Sequence, residues 1–346
     1  MKCNVLSVLL LALAACSDPP EVENDLVRLD DNHTLGAPMA VSNLTVWPVF
    51  ADRPLDVGEF LTLSEALAKG VAEVRERDSA GQVDTLVLEN KADLPILICA
   101  GTVVTGGKQD RQIGQDFVVQ AKATTQIDAF CVEQGRWVAS RGGLQTLGKF
   151  FVAEGIASDK VRVAGQYLKN QGKVWQEVAE VKEAVVDPQG TRNVRLVSLD
   201  TSSYAVVMDA TAKAAAPKLE EYTEAVRRHF AAQDGCIGFA YAVNGEPVTV
   251  RTFAHPRIFR QQFGSFLETM AADALLAAEG PTREARAADV VALVKGIADT
   301  SEEMNRTAGL NRNGIKATRA AFASSCYIER NGKEWIALTS DWTARR

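Results

Sequence analysis

The chain has 346 residues, of which 47% are hydrophobic and 24% are charged, values typical of a globular protein rather than a disordered or fibrous one. Its 44 acidic and 38 basic residues give a formal net charge of −6. This balance argues against a nucleic-acid binder, since such proteins usually carry a basic excess. The 3 histidines are far apart and no CxxC pair occurs, so we predict no metal site and no cofactor.

The first element is an apolar run from Val5 to Ala15, which follows Lys2. A membrane-spanning helix needs ~20 apolar residues, so this run is too short to cross a bilayer but suits a secretory signal. The residues Leu13–Cys16 resemble a bacterial lipobox, in which a leucine and two small residues precede a cysteine that becomes lipidated. We therefore expect a lipoprotein signal peptide at residues 1–15 and a lipid anchor on Cys16. A plain cleaved signal peptide is the alternative.

A lipidated Cys16 places the protein in the cell envelope, where the lipid membrane is its first partner. Ser17, rather than an aspartate, follows this cysteine and favours the periplasmic face of the outer membrane if the source is Gram-negative. Residues 16–40 are acidic and contain three prolines, so we expect a solvated tether there. One α+β domain is then expected over residues 41–346.

The next region, from Leu44 to Val138, alternates short apolar runs with turn residues, which predicts strands. One helix is expected at Leu63–Lys69, capped by Thr62 or Ser64 and ended by Gly70. The predicted strands are Thr45–Phe50, Val71–Glu76, Thr85–Glu89, Pro95–Ala100, Phe117–Gln120 and Thr125–Val132.

The second half is predicted to contain helices and two β-hairpins. Asn331-Gly332 is a strong signal for a type I′ turn, and residues 244–247 suit a turn as well. Blocks of strands followed by helices favour an α+β fold with an N-terminal, mainly antiparallel β region, followed by helices and two β-hairpins. The expected helices cover residues 161–183, 205–233 (with a break at Pro217), 259–278 and 283–297, and the hairpins cover 236–253 and 321–339.

Four cysteines, Cys99, Cys131, Cys236 and Cys326, remain after the signal peptide and the lipidated Cys16 are set aside. An oxidising periplasm permits disulfides, and sequence order suggests Cys99 with Cys131 and Cys236 with Cys326. The alternative is that each is a small buried hydrophobic residue, since all four lie in apolar, strand-like runs.

The residues with chemical potential are concentrated between residues 99 and 137. The stretch Gly101–Arg111 fails as a phosphate loop because its lysine comes one position late and is followed by Gln109. The pair Gly106-Gly107 still permits a sharp turn or a close approach to a ligand, and Gln109 and Arg111 supply donors for an anion. The alternative is a β-turn with solvated charges.

A second segment, Cys131–Trp137, places a carboxylate, a guanidinium and an aromatic ring close together in sequence. Arg111 or Arg136 would hold a phosphate or carboxylate in a fork, and Trp137 would stack on a ring. Glu133 is the candidate catalytic residue, as a general base, or it would bind ribose hydroxyls. The alternative is a structural Glu–Arg pair beneath an edge tryptophan.

These two segments, together with Leu61–Leu67, Gly70 and Asn90 before Pro95, resemble the ARPP family. The name stands for "ARG and rhodanese-phosphatase-superfamily-associated protein" domain, in which ARG denotes ADP-ribosylglycohydrolase. The resemblance covers the chain from about Ser42 onward and is strongest at the GGKQDR and CVEQGRW segments. It implies, by association, a ligand related to ADP-ribose or NAD, and it implies no particular reaction.

Two functional hypotheses follow. In the first, Gly106, Gly107, Gln109, Arg111, Glu133, Arg136 and Trp137 form a pocket that binds, or also processes, a small anionic ligand related to ADP-ribose or a nucleotide phosphate. In the second, the protein is a non-catalytic envelope lipoprotein that binds a protein or glycan partner, and the same residues stabilise a turn. Whether the protein is an enzyme stays open.

Overall fold

The computed structural model describes residues 26–77, 84–135, 140–141, 144–145, 149–185, 203–277 and 282–346. The predicted signal peptide and Cys16 lie outside these residues, as do Arg136 and Trp137. The described helices are α1 (Leu63–Ala68), α2 (Asp159–Gln166), α3 (Gln171–Val185), α4 (Tyr204–Ala214), α5 (Ala216–Ala231), α6 (Pro256–Leu276) and α7 (Ala287–Lys295).

The described strands are short in the first half of the chain and longer in the second. They are β1 (Val27–Arg28), β2 (His33–Leu35), β3 (Met39–Val41), β4 (Leu44–Ala51), β5 (Leu61–Thr62), β6 (Ala72–Glu76), β7 (Thr85–Asn90), β8 (Ile96–Ile98), β9 (Thr102–Gly106), β10 (Arg111–Ile113), β11 (Phe117–Val119), β12 (Thr124–Cys131), β13 (Ser140–Arg141), β14 (Leu144–Gln145), β15 (Phe150–Ile156), β16 (Gly238–Val243), β17 (Glu246–Phe253), β18 (Glu303–Arg306), β19 (Asn311–Ala317), β20 (Ala321–Arg330) and β21 (Glu334–Ala344).

Ten of these strands form one antiparallel sheet, in the order β1-β2-β4-β16-β17-β21-β20-β19-β18, with β3 also paired to β4. Both predicted hairpins are present: Asn244-Gly245 joins β16 to β17 and Asn331-Gly332 lies between β20 and β21, with all four residues at positive φ. The α+β class is confirmed, but the predicted order is only partly correct. The hairpins complete a sheet begun by N-terminal strands, because β4 pairs directly with β16.

The predicted tether over residues 16–40 is wrong for its second part. Strands β1, β2 and β3 lie within residues 27–41 and join the ten-stranded sheet through β4. The physical reason is burial, since Leu29 and Leu35 pack with Trp47 in an apolar cluster under that sheet. The domain therefore begins at least as early as Val27.

The other predicted strands, which correspond to β6, β7, β8, β11 and β12, build a second layer together with the unpredicted strands β5, β9, β10 and β15. A six-stranded sheet has the order β15-β9-β10-β12-β7-β6, and β11-β8-β5 form a small sheet in which β5 and β8 are parallel. Helix α1 begins with a capping box, in which the Glu65 N–H donates to Thr62 Oγ1 over 3.1 Å and the Thr62 N–H donates to Glu65 Oε2 over 2.8 Å. Thr62, rather than Ser64, is thus the cap.

The largest apolar core lies between the ten-stranded sheet and helices α5 and α6, where Phe239 and Phe253 pack against Phe259 and Phe266. A second core fills the six-stranded and three-stranded sheets, and a third lies between α2, α3 and α4. No helix in the described part of the chain is long and apolar enough to cross a membrane.

All four predicted disulfide partners, Cys99, Cys131, Cys236 and Cys326, are free and buried. Neither suggested pairing is present, so the alternative of small buried hydrophobic residues is the correct one. Burial raises the pKa of the Cys99 thiol to about 12 and that of the Cys236 thiol to about 11, so both stay protonated near neutral pH.

Candidate functional site

The turn that contains Gly106 and Gly107 joins β9 to β10 and requires both glycines. Their φ values of 137° and 47° lie in the region that side chains rarely adopt. A Cβ atom on Gly106 would lie 2.0 Å from the backbone oxygen of Lys149, and one on Gly107 would lie 2.3 Å from Phe150 Cζ. The turn is held by the Gly106 N–H, which donates to Asp110 Oδ1 over 3.0 Å.

Glu133 lies against this turn because β12 pairs with β10, with Arg111 opposite Cys131. The Asp110 N–H donates to Glu133 Oε2 over 3.0 Å, and Gln109 Nε2 donates to the Glu133 backbone oxygen over 2.9 Å. The structure thus brings together the predicted residues Gly106, Gln109, Arg111 and Glu133. We call these four residues and Asp110 the Gly106–Glu133 cluster.

Ser203 connects the Gly106–Glu133 cluster to helix α4. Its hydroxyl donates to Asp110 Oδ2 over 2.7 Å and also accepts from the Val206 N–H as the N-cap of α4. Ser203 further forms a β-bridge with Glu133. The contact between Ser203 and Asp110 spans 93 residues, so it has no local signal in the sequence.

Arg111 is the unusual member of the cluster because its guanidinium is buried without an acidic partner. The residue is only 3% exposed, and its Nη1 donates to Gln109 Oε1 over 3.2 Å and to the Asp110 backbone oxygen over 3.3 Å. Its Nε has no hydrogen-bond partner in the part of the chain that the structure describes. Among the described residues, Arg111 forms no ion pair within 4.0 Å. Two neutral oxygens are thus the only hydrogen-bond acceptors of the described chain that this guanidinium contacts.

Two other buried arginines differ from Arg111 because each of them forms ion pairs with acidic residues. Arg251, fully buried, pairs with Asp116 over 2.6 Å and with Asp341 over 3.5 Å. Arg162 pairs with Asp341 over 3.1 Å and with Asp159 over 2.9 Å. This network was not predicted from the sequence, and its members come from α2, β17, β21 and the segment before β11.

The network joins the two layers of the fold. Asp116 precedes β11 in the small sheet, and it accepts hydrogen bonds from the Ala100 N–H and from Thr339 Oγ1 on β21. Burial raises the pKa of Asp341, but the charges of Arg162 and Arg251 outweigh this effect and hold that pKa below its usual value. The role of this ion-pair network is structural, since each charged group in it faces a group of opposite charge.

Next to the cluster lies an apolar cavity of about 450 Å³, bounded by β9, β15, α4 and α6. Val103 lines this cavity and pairs with Gln112, whereas Arg111 pairs with Val104. Neighbouring residues of a strand point to opposite faces, so Arg111 lies on the face turned away from the cavity. An anion bound by Arg111 would therefore not occupy this apolar space.

The remaining predicted site residues are placed as follows. Arg136 and Trp137 lie outside the described residues, so no contact of theirs is assigned. Lys108 is exposed at the tip of the turn, and its backbone N–H donates to Glu76 Oε1 over 2.7 Å. No group of three or more histidine, cysteine or acidic residues within the described ranges is arranged to hold a metal ion.

Comparison with known proteins gives one result. Neither a curated protein nor a solved structure matches the chain. Residues 32–340 match the family described as "ARG and Rhodanese-Phosphatase-superfamily-associated Protein domain". This range holds the whole Gly106–Glu133 cluster and most strands of the ten-stranded sheet, in agreement with the resemblance carried by the GGKQDR and CVEQGRW segments. The chain therefore belongs to the ARPP family.

Proposed function

We propose that this ARPP domain binds a small anionic ligand and that Arg111 is the counter-ion of the ligand's charged group. The observation that carries the proposal is the buried guanidinium of Arg111, which has no acidic partner within the described ranges. Leaving a charge buried without a partner costs several kcal/mol, so a buried charge of this kind is rare in natural folds unless it has a function. An anion at Arg111 would remove that cost and complete the hydrogen bonding of Nε.

A phosphate or carboxylate suits this position because a guanidinium binds either in a two-pronged fork. The family's name includes ARG, which points by association to ADP-ribose or a related nucleotide phosphate. Gln109 lies directly beside the guanidinium and would orient it, since its Oε1 accepts from Arg111 Nη1. The proposal concerns binding, and a catalytic role for Glu133 stays a prediction.

The test is a thermal-shift measurement with inorganic phosphate and with ADP-ribose on the wild-type protein and on Arg111→Met. A ligand that binds only the folded state adds about 2.7 kcal/mol to stability at one hundred times its dissociation constant. We expect a shift with at least one of the two ligands, and no shift in Arg111→Met. The matched control is Arg319→Met, which removes an exposed guanidinium and should keep the shift.

The second candidate function is a non-catalytic envelope protein that binds a protein or glycan partner. The observation in its favour is that the Glu133 carboxylate is buried and already accepts a hydrogen bond from the Asp110 N–H, as a turn-stabilising residue would. It predicts that Arg111→Met and Glu133→Gln both lower the melting temperature strongly. Ligand shifts with phosphate or ADP-ribose would then be absent from the wild-type protein as well.

We further propose that the protein is exported and anchored to the cell envelope by acyl chains on Cys16, on the periplasmic face of the outer membrane if the source is Gram-negative. The support is the apolar run that ends in Leu13–Cys16. Several acyl chains anchor a protein stably, since each buried methylene contributes about 0.8 kcal/mol. Cys16→Ala should release the protein from the membrane fraction. Unchanged fractionation and unchanged mass of the variant would rule out the anchor.

A further inference from the structure

A second cavity, of about 340 Å³, lies apart from the Gly106–Glu133 cluster, where three helices meet the turn between β16 and β17. The start of α2, the last turns of α3 and α6, and Val243 and Val248 form its wall. We call it the α2–α6 cavity. Its titratable wall residues are Asp159, Lys160, Glu177, Glu180, Asp273 and Arg346.

Asp273 on α6 is the one acid of this wall that has no cationic partner within 4.0 Å in the described part of the chain. Its carboxylate accepts a hydrogen bond from the Tyr241 hydroxyl over 2.8 Å and from the Asp159 N–H over 3.3 Å. The other three acids are each paired: Asp159 with Arg162 at 2.9 Å, Glu177 with Lys173 at 2.7 Å and Glu180 with Lys160 at 3.7 Å.

Two further oxygens of the wall residues have no hydrogen-bond partner within 3.5 Å in the described ranges. Ser158 is 3% exposed and is the N-cap residue of α2, yet its Oγ does not cap the helix and has no hydrogen bond within 3.5 Å among the described residues, although the Tyr204 hydroxyl lies near it. Glu177 is 6% exposed, and its Oε2 is also without a partner while Oε1 binds Lys173.

The surrounding charges favour a cation in this space. The carboxyl ends of α3 and α6 both reach the wall, and the carbonyl end of a helix carries partial negative charge. The amino end of α2 opposes this effect, although its first N–H is already bonded to Asp273. Of the two wall cations, Lys160 pairs with Glu180. Arg346 Nη2 donates to the backbone oxygens of Glu246 and Pro247, and its charge still acts on Asp273.

We propose that the α2–α6 cavity binds a small primary amine in its ammonium form, with Asp273 as counter-ion and Ser158 Oγ and Glu177 Oε2 as further acceptors. An alkylammonium group has three N–H donors, which equals the number of available acceptor groups. A carboxylate without a cationic partner attracts a cation more strongly in a partly enclosed space than in water, because the effective dielectric constant there is lower. This site does not depend on the anion site at Arg111, since the two share no residue.

The site should respond to pH near neutrality. Burial raises the pKa of Asp273 to about 7, with the charge of Asp159 adding to the rise, while hydrogen bonds from Tyr241 and the Asp159 N–H and the charge of Arg346 oppose it. The other charged groups that face the cavity are Lys160 on α2 and Glu177 and Glu180 on α3. Amine binding needs ionised Asp273, so it should weaken as the pH falls below 7.

The experiment is isothermal titration calorimetry of the purified protein with propylammonium chloride at constant ionic strength. We expect saturable binding at pH 8 and binding about thirtyfold weaker at pH 5.5, since about that ratio separates the ionised fractions of a group with a pKa of about 7. Tetramethylammonium, which has no N–H donor, should not bind. Asp273→Asn should lower the affinity for propylammonium at pH 8 at least tenfold and abolish the pH dependence.

The control variant is Asp93→Asn, which removes an exposed carboxylate and should leave binding unchanged. If Asp273→Asn does not fold, the test rests on Ser158→Ala, expected to bind several-fold more weakly, and on the wild-type pH profile. Absence of propylammonium binding at pH 8, equal binding of tetramethylammonium, or a pH-independent affinity would each overturn the proposal.

Discussion

Replacing Arg162 with methionine should lower the free energy of unfolding by about 3–5 kcal/mol, the loss that follows when one partner of a buried ion pair is removed. The variant removes the positively charged guanidinium that pairs with Asp159 and Asp341, and both of these acids are buried. It also removes every hydrogen bond that the guanidinium donates. The acceptors are Asp159 Oδ1 (2.9 Å), Asp341 Oδ1 (3.1 Å), Gln166 Oε1 (2.8 Å), Thr249 Oγ1 (3.1 Å) and Thr343 Oγ1 (2.8 Å).

The comparison with Arg111→Met makes this prediction specific. Arg111 has no ion pair in the described chain, so its removal without ligand should leave the free energy of unfolding unchanged or raise it. Urea unfolding at pH 7, followed by tryptophan fluorescence, measures both variants, with the exposed Arg319→Met as control. A loss below about 1 kcal/mol in Arg162→Met, or an equal loss in Arg111→Met, would refute the reasoning.

Three further predictions concern other parts of the fold. Gly106→Ala should destabilise the protein by more than about 2 kcal/mol, because its Cβ would lie 2.0 Å from a backbone oxygen. Gly264→Ala, in open space on α6, should instead stabilise the protein by up to about 1 kcal/mol. Urea unfolding of the two variants would measure both changes in the free energy of unfolding. Thiol labelling of the unfolded, unreduced mature protein should find all four buried cysteines reactive, and labelling of the native protein none; fewer in the unfolded protein would mean a disulfide. Stability should fall as the pH rises from about 5 to 8, because the raised pKa of Asp273 favours its protonated form in the folded state, and Asp273→Asn should flatten that slope.

Local signals accounted for the elements that the sequence predicted well. The capping box at Thr62 and the turn at Asn331-Gly332 are encoded within a few residues, and both are present. The strands near Val27 and His33 were not predicted because residues 16–40 are acidic on average, and burial of Leu29 and Leu35 outweighs that average. Composition over a window cannot reveal a two- or three-residue edge strand whose stability comes from its neighbours.

The candidate site likewise combines features that the local sequence encodes with contacts that depend on tertiary packing. The glycines of the β9–β10 turn stand out in the sequence, but the proximity of Glu133 comes from the pairing of Arg111 with Cys131 across two strands. The ion pair between Arg162 and Asp341 joins residues 179 positions apart, and no periodicity marks it. Which arginine is paired and which is not depends on tertiary packing, so Arg111 became distinctive only in the structure.

The central claim is that Arg111 holds the anionic group of a ligand, and isothermal titration calorimetry with ADP-ribose tests it most directly. We predict saturable binding to the wild-type protein and at least tenfold weaker binding to Arg111→Met, which should be folded and no less stable than the wild type. Inorganic phosphate, titrated in parallel, tells whether the anion alone is recognised. If neither ligand binds the wild-type protein, or if both proteins bind equally well, the claim is contradicted.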